Sequence, residues 1–264
     1  MGEFNNLMLP KMKFIVFLAF TILISCTKKQ ITENTDNITQ KSKTSKIEKS
    51  IIKTAHIDSL DTEILETFVD SLNIGDKGKC KVELIKYRVY KDNYVIIKFY
   101  TKGKNSIKDP ETWMIQNNYS YETNSIMRFE TNISDFNNDR FNDITFISGT
   151  AARGSNEVRR LFIYDSEKQK LVSIMNSEEY PNMLYNSELD CIDAFLVHGG
   201  CSTVFLNIEG DSLRMFARVE LDEALTVSTY NKKGLEKIIF KDTKSQESYA
   251  RYKNFKPLKK YDEY

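Results

Sequence analysis

The feature that most constrains this fold is the alternation of apolar and polar side chains in short runs separated by short turns. The clearest run is 213–221, where Leu213, Met215, Ala217, Val219 and Leu221 fall on one side. Successive side chains of a strand point to opposite faces, so a period of two sets one face against a core. Residues 80–87 and 94–101 share this texture and flank the turn-favouring Lys91, Asp92 and Asn93. Further candidate strands are Ile144–Ser148, Arg160–Tyr164, Ile192–Val197 and Thr203–Ile208, with turns at Asp165–Lys168, His198–Gly200 and Glu209–Ser212. Short strands at this spacing predict a mainly β fold. The expected architecture is an antiparallel meander, as a sandwich or as partial propeller-like blades, over residues 57–241.

Three segments depart from the alternation. Ile64, Leu65, Phe68, Val69 and Leu72 recur at helical spacing behind Asp61, a residue suited to an N-cap. The spacing predicts one short N-terminal helix over 61–72, packing on the domain. Residues 27–56 are dominated by Thr, Lys, Gln, Asn, Ser and Glu, too polar to order themselves, and are expected to form a disordered tether. Residues 242–264 are polar and basic with scattered Tyr, and read as a solvated tail. With 38 basic and 37 acidic residues the net charge is +1. No strong field for nucleic acid follows, so none is expected as a partner.

The N-terminus points to export. Lys11 and Lys13 precede an uncharged, almost wholly apolar run, Phe14–Ile24. That is short of the roughly 20 residues a spanning helix needs, and fits the apolar stretch of a signal peptide. Met12 offers a second start inside the segment, which leaves residues 1–11 as an upstream extension. The run ends in Leu23, Ile24, Ser25 and Cys26, which resembles the lipobox of bacterial lipoproteins. The resemblance implies that residues 1–26 are a lipoprotein signal and lipobox. It also implies that Cys26 is lipidated and becomes the new amino terminus, anchoring the chain to a membrane. Thr27, Lys28 and Lys29 follow, with neither an inner-membrane retention Asp nor an acidic surface-export cluster. The expected location is the cell envelope, at the outer membrane facing the periplasm.

The sharpest local motif is Asp135, Asn137, Asp139, Phe141 and Asp143, directly before the strand at Ile144. Oxygen ligands at alternate positions let one tight loop wrap a hard cation, and calcium takes six to eight of them. The twelfth position is Phe146 rather than Glu, and a strand follows, so this is not an EF-hand. The spacing resembles the acidic loop of FG-GAP and VCBS-type β-repeats, which implies calcium held by side-chain oxygens of Asp135, Asn137 and Asp139, the Phe141 carbonyl and Asp143. Arg140 stands where those loops usually carry Gly.

The next stretch, 148–165, is a small-residue loop followed by a strand ending in Tyr164 and Asp165. The order of elements over 135–221 is similar to that of periplasmic immunity lipoproteins and lysozyme inhibitors. The resemblance implies a partner-binding loop from Ser148 to Arg160. Gly149 and Gly154 would give it backbone freedom, and Arg153, Arg159 and Arg160 would supply charge. The partner it implies is a protein such as a peptidoglycan hydrolase. The loop lacks the Tyr that such inhibitors carry.

Beyond Cys26, the chain has Cys80, Cys191 and Cys201. In an oxidising compartment two of the three can pair, and the sequence does not say which. A hairpin turning at His198–Gly200 puts the partner of Cys191 near position 207, not at Cys201. Catalytic signals are sparse. There are two His, His56 and His198, and no nucleophile elbow, phosphate loop or His-Glu-x-x-His helix. The reading favoured is a protein-binding envelope lipoprotein and not an enzyme. The alternatives are a calcium-stabilised structural or adhesive domain, and a hydrolase using two carboxylates distant in sequence.

Overall fold

The computed structural model describes residues 62–103, 112–123, 125 and 127–262. The expected signal segment and tether, with Cys26, His56 and Asp61, lie outside them. Strands β1 (Thr62–Asp70), β2 (Cys80–Val89), β3 (Asp92–Gly103) and β4 (Thr112–Thr123) form one sheet. A second holds β5 (Asn132–Ser134), β6 (Asp143–Ala151), β7 (Asn156–Asp165) and β8 (Lys170–Ser173). A third holds β9 (Leu184–Asn186), β10 (Cys191–Val197), β11 (Cys201–Glu209), β12 (Ser212–Leu221), β13 (Leu225–Tyr230) and β14 (Glu236–Asp242). The last pair, β15 (Tyr252–Phe255) and β16 (Leu258–Lys260), is a separate hairpin. Every sheet pairs strands in chain order and antiparallel, so the fold is the expected meander.

The sheets stack through three apolar cores. Val82, Leu84, Val95, Ile97 and Phe99 of the first sheet meet Ile144, Phe146, Phe162 and Tyr164 of the second. Leu161 and Ile163, on the other face of β7, meet Ile192, Ala194, Val204 and Leu206 of the third. Phe195, Phe205, Ala217, Val219 and Val227 pack with Tyr252 and Phe255 of the last hairpin. A strand covered on both faces needs no alternation, which is why Leu161–Tyr164 and Cys201–Leu206 are unbroken buried runs. A strand covered on one face alternates, as in β2, where Cys80, Val82 and Leu84 are buried and their neighbours are not.

Two segments differ from the sequence expectation. Residues 62–70 are not helical but form β1, the edge strand beside β2, with Phe68 opposite Leu84 and a register slip at Leu65. Phe68 faces the core, while Ile64, Val69 and Leu72 are exposed. Their helical spacing therefore buries no stripe, and pairing with β2 decides the conformation. Asp70 ends the strand by accepting the N–H groups of Leu72, Asn73 and Ile74 at 3.2, 2.8 and 2.9 Å.

The stretch expected to be a solvated tail, 242–264, is anchored to the fold within its described part, 242–262. Arg251 and Tyr252 are each 2% exposed. The guanidinium of Arg251 pairs with the carboxylate of Asp193, which is 0% exposed, and donates to the Asn182 carbonyl at 2.9 Å. Tyr261 donates to the other oxygen of Asp193, and Asn186 Nδ2 reaches it at 2.9 Å. The Tyr252 N–H donates to Thr203 Oγ1 at 3.0 Å. A charge cannot stay buried without such partners, so the tail is held by its most polar residue.

Removing one partner of a buried pair leaves the other charge uncompensated and costs about 3–5 kcal/mol. Asp193→Ala is therefore expected to lower the unfolding free energy by that amount, measured by urea denaturation. Replacing both charges together, as Asp193→Leu with Arg251→Met, is expected to recover most of the loss. A single-variant loss below about 1 kcal/mol would show that the pair does not hold the tail.

Candidate partner-binding surface

The stretch Ser148–Arg160 is a hairpin rather than a loop. β6 and β7 stay paired almost to its end, with Gly149 opposite Val158, Thr150 opposite Glu157 and Ala151 opposite Asn156. The register slips between Ile147 and Gly149, which makes Ser148 a bulge. Its hydroxyl donates to the Val158 carbonyl at 3.3 Å. Ala151–Ser155 are all exposed. Ala152, Arg153 and Gly154 have φ of +48°, +59° and +96° in succession. Only glycine tolerates that region freely, so Ala152 and Arg153 carry strain of about 1 kcal/mol or more each.

The base of the hairpin is pinned to the third sheet by two asparagines. Asn156 is buried, donates to the Val197 carbonyl and accepts the Val197 N–H, both at 2.9 Å. Asn182 Oδ1 accepts the Glu157 N–H at 3.0 Å. Its Nδ2 donates to Ser155 O at 3.0 Å and Phe195 O at 2.8 Å. The Asn182 backbone N–H donates to the Glu157 carbonyl at 3.0 Å. Asn182 thus serves as a one-residue strand along the edge of β7. Its own carbonyl accepts from Arg251, so the buried ion pair and the hairpin base share a residue. Asn182 has φ +55° and follows Pro181, a Pro-Asn pair of the kind that marks a turn, which is the signal that points to it in sequence.

The three arginines have different roles. Arg159 is bound to Glu157 at 2.9 Å and to the Glu130 carbonyl at 2.8 Å. Arg160 pairs with Glu178 at 2.7 Å and lies 3.9 Å from the Tyr121 ring centroid. Both serve the fold. Arg153 sits at the exposed tip, with no hydrogen bond or ion pair among the described residues. The turn His198–Gly200 lies near the same base, joined through Val197 and Asn156, and His198 is exposed.

The acidic turn lies at the opposite end of β6 from this tip, nine strand residues away. Asp135 Oδ1 accepts the N–H groups of Asn137 and Asp139, both at 3.2 Å, and Oδ2 accepts that of Arg140 at 2.8 Å. Asp139 accepts the Phe141 N–H and the Asn137 side chain, each at 2.9 Å. Arg140 has φ +76°, the left-handed conformation for which glycine is suited. Asp135, Asn137 and Asp139 therefore stay together around one turn. Asp143 is placed differently. It is fully buried, and its two oxygens accept the N–H groups of Phe136 and Tyr164, each at 2.8 Å. Burial pushes its carboxyl up to about 8, the two N–H groups pull the other way, and Asp139 and Asp135 add to the rise. Both Asp143 oxygens are taken by backbone N–H groups, so the fit to calcium rests on the other oxygens. Phe141 turns its ring edge against Tyr164 at 5.4 Å. Among the described residues no three His, Cys, Asp or Glu side chains form a metal cluster.

The remaining candidates are dispersed. Cys80, Cys191 and Cys201 are free and buried, so none of the pairings open to them is formed. Ile192 is opposite Leu206 and Val197 opposite Cys201, which puts Cys191 and Cys201 at opposite ends of β10 and β11. Burial raises all three thiols, that of Cys191 to about 12, so they are poor nucleophiles. An open groove of about 490 Å³ beside the acidic turn contains two carboxylates, Asp190 and Glu209. Asp190 is bound by Tyr185 and Asn138, and Glu209 by Arg214.

No protein-family model matches the chain, and no curated protein does. A solved structure of a Xanthomonas type IV secretion system related protein aligns with 68% of this chain and 98% of its own. The identity is 10% and the TM-score 0.40.

Proposed function

We propose that this chain is an envelope lipoprotein, anchored through Cys26, whose β-domain binds and blocks a cell-wall hydrolase with the tip of the β6–β7 hairpin. The observation that carries this reading is Arg153, exposed at a strained tip whose base is pinned by Asn156 and Asn182. A rigid base lowers the entropy lost on binding, and a planar guanidinium matches a carboxylate. Glycan-cleaving clefts work with a pair of carboxylates, one of which an inserted Arg153 would meet. Truncating a well-desolvated anchor costs about 2 kcal/mol or more.

The test is a titration of lysozymes of several types, and of hydrolases recovered from solubilised envelope, with wild type and Arg153→Ala. The expected result is inhibition of at least one enzyme by wild type, weakened about thirtyfold or more by the substitution. Equal inhibition by both proteins removes Arg153 from the role. No binding by wild type across the panel overturns the inhibitor reading.

A second reading is a calcium-stabilised structural or adhesive domain. The crowding of Asp135, Asn137 and Asp139 around one turn favours it. A cation held only by the folded state raises the thermal midpoint by mass action. Millimolar calcium is expected to raise the midpoint of wild type over that in chelator, and not that of Asp139→Ala. Identical melting of wild type in the two conditions retires the calcium site.

A further inference from the structure

Lys86 is the polar member of an inward-facing row. Cys80, Val82, Leu84 and Lys86 alternate along β2, and all four are buried, Lys86 at 5% exposure. Its ammonium donates to the Met127 carbonyl at 2.9 Å and makes no ion pair among the described residues. An ammonium has three donors, and one taken out of water without a counter-charge is costly. The carboxylate paired across from it on β1 is Glu66, but both Glu66 oxygens face the Phe129 N–H at 3.1 Å. Burial lowers the affinity of Lys86 for its proton, and Glu66 offsets this only in part.

Lys86 lines an open groove of about 440 Å³. Arg88, Arg128, Leu65 and Met127 line it too. Arg88 is shared between Asn93 and Glu63, both at 3.1 Å. Arg128 is exposed and has no partner among the described residues. Of the three cations lining the groove, Arg88 is paired with Glu63 and Lys86 lies across from Glu66, which leaves Arg128 as the one without a carboxylate among the described residues. Leu65 and Met127 supply apolar wall beside it.

We propose that this groove binds a small organic acid. Its carboxylate would be seated on the Lys86 ammonium and the Arg128 guanidinium, with its apolar body against Leu65 and Met127. One excess charge matches a monoanion better than a phosphate dianion. The apolar wall suits a carboxylate carried on carbon. Such a ligand would supply the counter-charge that the fold withholds from Lys86. The proposal is independent of the hairpin tip, since no residue of that tip lines the groove.

The test uses sodium propionate against sodium chloride and inorganic phosphate at matched ionic strength. The chain is labelled with carbon-13 lysine, and Lys86→Met assigns the Lys86 Cε resonance. In wild type, propionate is expected to shift this resonance toward its charged position at a pH where it is partly neutral. It should also raise the thermal midpoint. Binding is expected to weaken at least about tenfold in Lys86→Met. If that variant fails to fold, Lys86→Arg, which keeps the charge, assigns the resonance and the wild-type response decides. A Lys86 signal that does not respond to propionate overturns the proposal. A response to phosphate equal to or larger than that to propionate overturns the assignment to carboxylates.

Discussion

The ion pair between Asp193 and Arg251 is the interaction on which the arrangement of the later half of the chain depends. Both groups are out of water, and each would be costly to leave there alone. The fold surrounds them with Tyr261, Asn186 and the Asn182 carbonyl, which share the hydrogen bonding of the two charges. The pair joins residues 58 apart in sequence, and fixes β15 against β11 where Tyr252 and Phe255 complete the third core. Burying an aromatic side chain of that size contributes about 1.5–3 kcal/mol, and the pair determines where that burial takes place.

From there the constraint passes to β7. Asn182 gives its carbonyl to Arg251, and its side chain and backbone N–H to the β7 edge. β7 itself is covered on both faces, by the first sheet and by the third. Asp143 fastens it from β6 by accepting the Tyr164 N–H. The strained tip at Ala152–Gly154 is therefore the free end of a strand fixed along most of its length. Strain persists where the surroundings over-determine it, and the two asparagines at the base do so here.

Where one face of a strand meets a core and the other meets water, the sequence is readable. The 213–221 alternation becomes β12, and the turn expected at Lys91–Asn93 falls at Tyr90–Lys91, with Asp92 and Asn93 already paired in β3. Cys191 falls across from position 207, as the hairpin turn at His198–Gly200 implies, since Ile192 pairs with Leu206. Lys86 occupies an inward position of an alternating run, and only the structure shows it buried there. What was not readable depends on distant partners. β1 has helical spacing, and only the open edge of β2 makes it a strand. The stretch after Lys241 looks solvated because Asp193, which buries Arg251, is far away in sequence. The hairpin tip was legible through Gly149, Arg153 and Gly154, but the engagement of Arg159 by Glu157 and of Arg160 by Glu178 was not.

The most direct test of this account is native-state amide hydrogen exchange in the double variant Asp193→Leu, Arg251→Met. Removing both charges leaves no unpaired buried charge, so the fold is retained. The Glu157 amide donates to Asn182, and the Asn182 amide donates to Glu157. If the ion pair braces the hairpin base through Asn182, both amides exchange about tenfold faster or more than in wild type, while β2 amides are unchanged. Unaltered exchange at Glu157 and Asn182 would show that the hairpin base stands without the pair.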